Sequence, residues 1–236
     1  MEIVPGIHQV DGVNGNCFII VRDELTLIDT GMPKNGVKIV TYIQDILKRK
    51  PTDIKTIVLT HFHIDHVGDA GDLKKLSGAK VAIHEADADY VAGRKTHPAP
   101  GGIKGMIFKL LIPLLFGSRP VEPDIKLKDG DTIAGLTPIH TPGHTPGSIC
   151  LFDPASKILF VGDLLRFNGS KIEMGPSSLD TREVQQSINK IAAIDFDIML
   201  SGHGIPLRPD ASVRVREFAK KNTRKMDLRE NEREAC

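Results

Sequence analysis

Residues 60–69, THFHIDHVGD, place three histidines and two aspartates directly after the apolar run TIVL. Imidazoles and carboxylates that face one another at the end of a strand lose hydration free energy unless something charged sits among them. In an extended backbone, His61 and His63 point to the same side because they are two residues apart. The stretch therefore predicts a metal site, with Asp65 and His66 as further ligand candidates.

Three more residues of metal-binding type follow later in the chain, each next to a strand-like run. They are His144 in the loop TPGHTPGS, Asp163 at the end of ILFVGD, and His203 in LSGHG. Imidazole and carboxylate ligands suit Zn²⁺, with Fe or Mn as alternatives. Mixed ligation of this kind usually leaves an open coordination position, which favours a catalytic site over a structural one.

The elements that must position these residues alternate between strands and helices. Helical spacing of apolar residues predicts a helix over 35–49, formed by Val37, Val40, Ile43 and Leu47 and ended by Pro51. The other predicted helices begin near Asp69, in EADADYVAG and at 181–193; the predicted strands are IKTIVLT, KVAIH, LTPIHT, SICLF, KILFVGD and FDIMLSGHG. Strands followed by helices, twice over, predict sheets covered by helices.

Composition excludes several classes of protein. The chain has 236 residues, a formal net charge of +1, no Trp and two Tyr, so neither charge nor aromatic platforms favour nucleic acid or a membrane surface as a partner. Cys17 and Cys150 lie in strand-like apolar runs, and with Cys236 they form no framework, which suits a reducing compartment. No apolar stretch reaches the roughly 20 residues of a membrane span. We expect a soluble cytoplasmic protein.

One segment, 94–124, breaks the alternation of strands and helices. Its central block, 103–116, is apolar nearly all round and contains Pro113. A block of this kind is buried in the core, acts as a lid, or contacts a partner. We therefore keep three interpretations open, of which the last is a homodimer formed through 103–116.

The motifs THFHIDHVG, GHTPGS, VGD and SGHG, in that order and preceded by LIDTG, resemble those of the metallo-β-lactamase-fold hydrolase superfamily. The resemblance covers residues 1–210 and leaves 211–236 as a charged helical tail. It implies a single α/β (α+β) domain, built as a four-layer αββα sandwich with a two-metal centre. Carried over residue by residue, His61, His63 and His144 hold the first metal, Asp65, His66 and His203 the second, and Asp163 bridges both.

The implied chemistry is hydrolysis by a metal-bridging hydroxide at neutral pH, because two carboxylates leave residual positive charge on two divalent ions. Asp65 is predicted to orient the hydroxide and to pass a proton to the leaving atom. Asp29, in LIDTG, resembles the carboxylate that steadies a histidine ligand in this family. We expect two divalent ions, with Zn²⁺ favoured.

Departures from the patterns of related families narrow the range of expected substrates. No Gly-Cys-Gly-Arg stretch follows Asp163, and 204–236 is too short for an appended glutathione-binding domain, unlike in glyoxalase-II-like enzymes. Arg166 stands where the lactonases that open acyl-homoserine lactones have a tyrosine. It either stabilises an oxyanion or an anionic substrate, or forms a surface salt bridge.

The leading hypothesis is a dinuclear metal-dependent hydrolase that cleaves a lactone, ester or lactam of a small, partly hydrophobic substrate. A mononuclear iron enzyme of the sulfur-dioxygenase kind and a glyoxalase-II-like thioesterase are the alternatives. A non-catalytic relative that binds a ligand is disfavoured because candidates are present at all seven ligand positions.

Overall fold

The computed structural model describes residues 1–96 and 119–234. The chain divides into two compact units, Met1–Lys128 and Asp129–Cys236. The predicted apolar block 103–116 lies outside the described residues, and so does most of the 94–124 segment. Among the described residues, no helix is both long enough and apolar enough to cross a membrane.

In the described part of the first unit, a sheet of seven strands follows the chain in sequence order. The strands are β1 (Glu2–Val4), β2 (Ile7–Gln9), β3 (Phe18–Val21), β4 (Leu25–Ile28), β5 (Ile54–Val58), β6 (Lys80–His84) and β7 (Ile125–Leu127). Neighbours up to β4 pair antiparallel, and those from β4 onward pair parallel. Parallel pairing brings the C-terminal ends of β4, β5 and β6 to one edge of the sheet.

Helices of the first unit pack on this sheet through one apolar cluster. The helices are α1 (Gly36–Thr41), continued by a π-turn (Tyr42–Ile46), a 3₁₀ turn (Pro51–Asp53), α2 (Ile64–Val67), α3 (Ala70–Ser77) and α4 (Glu85–Val91). The cluster contains Ile39 and Ile43 from the first helix, Leu73 and Val91 from later ones, and the sheet residues Ile57 and Val81. Cys17 is a fully buried member of the same cluster.

In the second unit, four strands form a sheet in the order β13-β10-β9-β8, beside a two-stranded hairpin. The sheet consists of β8 (Thr137–His140), β9 (Ile149–Asp153), β10 (Ile158–Gly162) and β13 (Ile198–Ser201); the hairpin consists of β11 (Leu165–Phe167) and β12 (Ile172–Met174). Two helices, α5 (Thr181–Ile191) and α6 (Ala211–Glu234), pack on the sheet through Val184, Ile188 and Val215. Cys150 is buried in this cluster.

The mixed α/β class that the sequence predicts is confirmed, and each predicted strand and helix in the described range is present. One detail of the predicted 35–49 helix is wrong. Val37 is 72% exposed, and the buried face is formed by Ile39 and Ile43. The helix also changes from α to π winding at Tyr42, which rotates the residues that follow relative to an ideal helical stripe.

Candidate metal centre

The first group of predicted ligands, His61, His63, Asp65 and His66, lies at the C-terminal end of β5 and is called the N-terminal donor set. His61 Nε2 lies 3.1 Å from His63 Nδ1. In tetrahedral zinc coordination with bonds of about 2.0–2.1 Å, two ligand nitrogens lie about 3.3 Å apart. The two nitrogens are therefore spaced as two ligands of one metal ion.

Asp65 and His66 form a second pair of donors at the start of α2. His66 Nε2 lies 3.9 Å from Asp65 Oδ2. The His66 side chain is fully buried, whereas 32% of the Asp65 side chain is exposed. One turn of helix thus provides a carboxylate and an imidazole, while the extended residues before it provide two imidazoles.

Asp29 accepts hydrogen bonds at the base of this donor set. Its carboxylate lies 2.8 Å from His66 Nδ1, and it accepts from the backbone N–H of Thr60 (2.7 Å) and from the Thr60 hydroxyl (2.8 Å). Because a carboxylate only accepts, His66 carries its proton on Nδ1, which leaves the Nε2 lone pair for a metal.

Thr60 fixes the tautomer of His61 in the same way. Its hydroxyl proton is used on Asp29, so its oxygen accepts from His61 Nδ1, which lies 3.0 Å away. The His61 lone pair is then on Nε2, the atom that faces His63. A single buried carboxylate therefore sets the tautomers of two predicted ligands.

The second group of predicted ligands, His144, Asp163 and His203, is called the C-terminal donor set and lies at one edge of the second unit's sheet. Asp163 directly follows β10 and His203 follows β13, which runs parallel to β10. His144 precedes β9, which runs antiparallel to β10, so the start of β9 lies beside the end of β10.

One oxygen of Asp163 is shared between the two imidazoles. Asp163 Oδ2 lies 3.6 Å from His144 Nε2 and 3.5 Å from His203 Nε2. His144 and Asp163 are buried, whereas 35% of the His203 side chain is exposed. This arrangement suits a carboxylate that contributes to two metal ions, each with its own histidine.

The loop before β9 is tied down on both sides of His144. The His140 ring donates from Nε2 to the Pro146 carbonyl at 2.9 Å, and Ser187 Oγ donates to the Pro142 carbonyl at 2.8 Å. Ser178 Oγ lies 3.5 Å from His144 Nδ1. His140 thus holds the backbone of the loop.

Two glycines, which sequence reasoning missed, bring backbone close to the carboxylate ligands. A Cβ at Gly15 would lie 2.1 Å from the Asp65 carbonyl oxygen, and one at Gly175 would lie 1.7 Å from the Asp163 carbonyl oxygen. Neither distance leaves room for any side chain. No signal in the sequence marks these positions, because each contact joins residues far apart in the chain.

Arg166 forms an ion pair on the β11–β12 hairpin. Its Nε and terminal nitrogen lie 3.0 and 2.8 Å from Glu173 Oε2, and Lys171 lies 2.8 Å from the other oxygen. Hydrogen bonds from Lys171, the larger cause, and from Arg166 hold the pKa of Glu173 below its usual range. The salt bridge that the sequence offers as one alternative for Arg166 is present, and a role toward substrate stays a prediction.

A model of the Metallo-beta-lactamase superfamily matches residues 10–203. The chain belongs to this superfamily. The probable metallo-hydrolase YflN of Bacillus subtilis is 28% identical over 229 residues, which cover 87% of this chain and 86% of that protein. The human acyl-coenzyme A thioesterase MBLAC2 is 32% identical over 214 residues, covering 81% of this chain and 74% of that protein.

The fold agrees with this superfamily assignment. The metallo-β-lactamase family protein TTHA1429 from Thermus thermophilus superimposes with a TM-score of 0.69 at 21% identity, over 96% of this chain and 82% of that one. The chain is therefore a metallo-β-lactamase superfamily hydrolase, and its histidine and aspartate donors fit divalent metal ions.

Proposed function

We propose that the protein is a dinuclear metal-dependent hydrolase that cleaves a carbonyl ester-type bond of a small, partly hydrophobic substrate. The observation that carries the proposal is the shared position of Asp163 Oδ2 between two imidazole nitrogens. A carboxylate oxygen with a histidine on either side suits two neighbouring cations, and the N-terminal donor set likewise divides into two pairs.

The proposed ligand sets follow from these pairs and from superfamily membership. The first ion would be held by His61, His63 and His144, the second by Asp65, His66 and His203, and Asp163 would contribute to both. Nitrogen and oxygen donors in this mixture favour Zn²⁺, with Fe or Mn as alternatives.

The proposed chemistry assigns distinct tasks to the protein's own side chains. The bound ions would lower the pKa of a water molecule and polarise the substrate carbonyl. Asp65 would orient the attacking oxygen and carry its proton to the leaving atom, for which its partial exposure is suited. Asp29 would keep both imidazoles in the tautomers that coordinate through Nε2.

Four classes of acyl substrate fit the proposed site. Lactones, esters and lactams are the leading candidates from the sequence, and the 32% identical human relative, an acyl-coenzyme A thioesterase, favours the thioesters that the sequence leaves as an alternative. All four classes share an acyl carbonyl with a heteroatom leaving group, so one site chemistry serves each. We give thioesters the first place among them because that relative spans most of this chain.

The proposal is tested with a panel of an acyl-coenzyme A thioester, an acyl-homoserine lactone, an aryl ester and a β-lactam. Hydrolysis that is lost on chelation and restored by Zn²⁺ would support it, and the substrate with the highest kcat/KM would fix the class. Oxygen uptake with a persulfide and one bound iron would instead support the sulfur-dioxygenase alternative.

A matched pair of variants makes the test specific to Asp163. Asp163→Ala should lose both metal ions and reduce kcat/KM by about 10³-fold or more, because both ions depend on it. Asp195→Ala removes an exposed carboxylate of the same unit, paired with Lys157 at 3.5 Å, and should retain both metals. Hydrolysis by Asp163→Ala at the wild-type rate would contradict the proposal.

The cytoplasmic location and the homodimer through 103–116 stay predictions from the sequence. Sedimentation of the full chain tests the dimer.

A further inference from the structure

The peptide between the two predicted imidazole ligands contacts helix α4 of the first unit. Phe62 separates His61 from His63, and its side chain is 1% exposed within the apolar cluster of this unit. The ring of Phe62 lies edge-on to the ring of His63, with centroids 5.0 Å apart. Movement of Phe62 would therefore move both imidazoles.

Helix α4 contacts Phe62 at two points. The carboxylate of Asp87 accepts a hydrogen bond from the Phe62 backbone N–H at 3.1 Å. The ring of Tyr90, one turn later on the same helix, stacks on the Phe62 ring with centroids 4.3 Å apart and planes 21° apart. One contact fixes the backbone and the other fixes the side chain.

Asp87 is fully buried, which is unusual for a carboxylate. Burying a charged group lowers stability unless hydrogen bonds or opposite charges compensate it. Asp87 is neither a predicted ligand nor a residue of the resemblance motifs, so its burial is not explained by the proposed chemistry. Its contact with the peptide between two ligands gives the carboxylate a task.

We propose that Asp87 is a positioning residue for the first metal ion, acting through the Phe62 backbone N–H on the spacing of His61 and His63. The inference rests on the proposed function, because it assumes that these imidazoles bind a metal. The hydrogen bond fixes the extended peptide in which the two ring nitrogens lie 3.1 Å apart. Without it, the peptide can rotate and the two nitrogens lose their common direction.

The same reasoning makes the effect selective between the two ions. Asp65 and His66 lie in the next turn, where the Asp29 carboxylate holds the His66 ring directly, at 2.8 Å from Nδ1. Loss of the Asp87 carboxylate should therefore weaken the first ion more than the second.

The experiment is a Zn²⁺ titration of the metal-free full chain in competition with a chromophoric chelator. Asp87→Ala should weaken one of two binding steps by about 10–100-fold and change the other by less than about threefold. Asp87→Asn keeps an oxygen that can accept from Phe62 and should bind both ions within about threefold of the wild type. If the alanine variant does not fold, Asp87→Ser takes its place in the titration, with the same expected result.

A control variant is provided by the same helix. Asp89 lies two residues later, and its 39% exposed side chain pairs with Arg94 at 2.9 Å. Asp89→Asn removes that exposed charge and should leave both binding steps unchanged. Thermal unfolding of each metal-free variant separates a loss of folding from a loss of metal affinity.

Three results would overturn the inference. They are wild-type affinities in Asp87→Ala (or in Asp87→Ser where the alanine variant does not fold), equal weakening of both steps, and an Asp87→Asn variant as weak as Asp87→Ala. A wild-type chain that binds no zinc would contradict the proposed function and the inference with it. Two zinc ions in the wild type and unchanged affinities in the variants would contradict the inference alone.

Discussion

Asp29 acts on two predicted ligands through hydrogen bonds of fixed direction. It accepts from His66 Nδ1 directly and from the Thr60 hydroxyl, which in turn accepts from His61. All three groups are buried, so water does not replace a lost partner. Removal of this carboxylate frees both imidazoles to change tautomer, which would turn a protonated nitrogen toward the metal.

Asp29→Ala should therefore lower zinc affinity by about 10–100-fold. It should also reduce the free energy of unfolding of the metal-free chain by about 1–3 kcal/mol, because buried donors lose their acceptor. Chelator competition and urea unfolding measure the two effects. Asp72→Ala is the matched control, since Asp72 is exposed and paired only at the surface with Arg119 at 3.2 Å. Equal zinc affinities in the two variants would argue against the role of Asp29.

At the residue scale, the sequence could predict the ligand candidates and, through the family resemblance, Asp29, but not the other groups that hold the ligands. Histidines and aspartates at strand ends are recognisable by type and spacing. Thr60 and Asp87 have no such signal, because a threonine beside a histidine and an aspartate in a helix are both common. Their tasks depend on which distant backbone or ring they contact, and one chain without its fold does not reveal that.

At the scale of elements, the β11–β12 hairpin leaves Asp163 and returns to it. The Gly175 N–H donates to the Leu164 carbonyl at 3.1 Å, and the position of a Gly175 Cβ is already occupied by the Asp163 carbonyl oxygen. The close return of the chain depends on a residue without a side chain. The backbone of the shared carboxylate is thus braced by the strand that follows the hairpin turn.

Gly175→Ala should lower the free energy of unfolding by about 1–3 kcal/mol, because the backbone must move to admit the methyl group. It should also reduce zinc affinity, since Asp163 moves with its carbonyl. Gly71→Ala provides the contrast: it lies inside α3, and its nearest neighbour would be 3.6 Å from the new Cβ. The free energy of unfolding of that variant should rise by about 0.5–1 kcal/mol, because alanine has a higher helix propensity than glycine. A Gly175→Ala variant with wild-type stability and zinc affinity would contradict the bracing role.

The hairpin also predicts a pH dependence. Lys171 and Arg166 lower the pKa of Glu173 in the folded chain, so the contribution of this ion pair is present above the unfolded pKa of about 4.3 and is lost as the pH falls through the lower, folded pKa. The urea midpoint of the metal-free wild type should exceed that of Glu173→Gln at pH 6, and the difference should vanish at acid pH.

Glu217→Gln, an exposed change on α6, is the control for that comparison. A difference between wild type and Glu173→Gln that grows as the pH falls would contradict the sign of the shift.

The order of strands and helices could be predicted because apolar periodicity and turn residues are patterns of residues close together in the sequence. The orientation of individual residues could not always be predicted, as the first helix demonstrates. Ile43 of the predicted stripe is buried, yet Val37 is exposed and Ile39, outside the stripe, is buried. The helix also changes to π winding at Tyr42, which a stripe of apolar residues does not encode.

On the scale of the whole molecule, each unit brings donors to the edge of its own sheet. The first unit gathers them within one short stretch after β5, and the second gathers them from three separate strand ends. Residue type and position beside strand-like runs identified the second group as candidates, and the resemblance to a family then assigned its members to two metal ions. Among the described residues, neither Cys17 nor Cys150 belongs to these groups of metal-binding type. Burial raises the pKa of both thiols, that of Cys150 to about 12.

The central proposal is that the chain binds two divalent ions. The measurement that tests it most directly is the metal content per chain of protein purified without added metal, read by elemental mass spectrometry. We predict about two equivalents, chiefly zinc, falling toward none in Asp163→Ala. One equivalent of iron, or no metal that stays bound through gel filtration, would contradict the account.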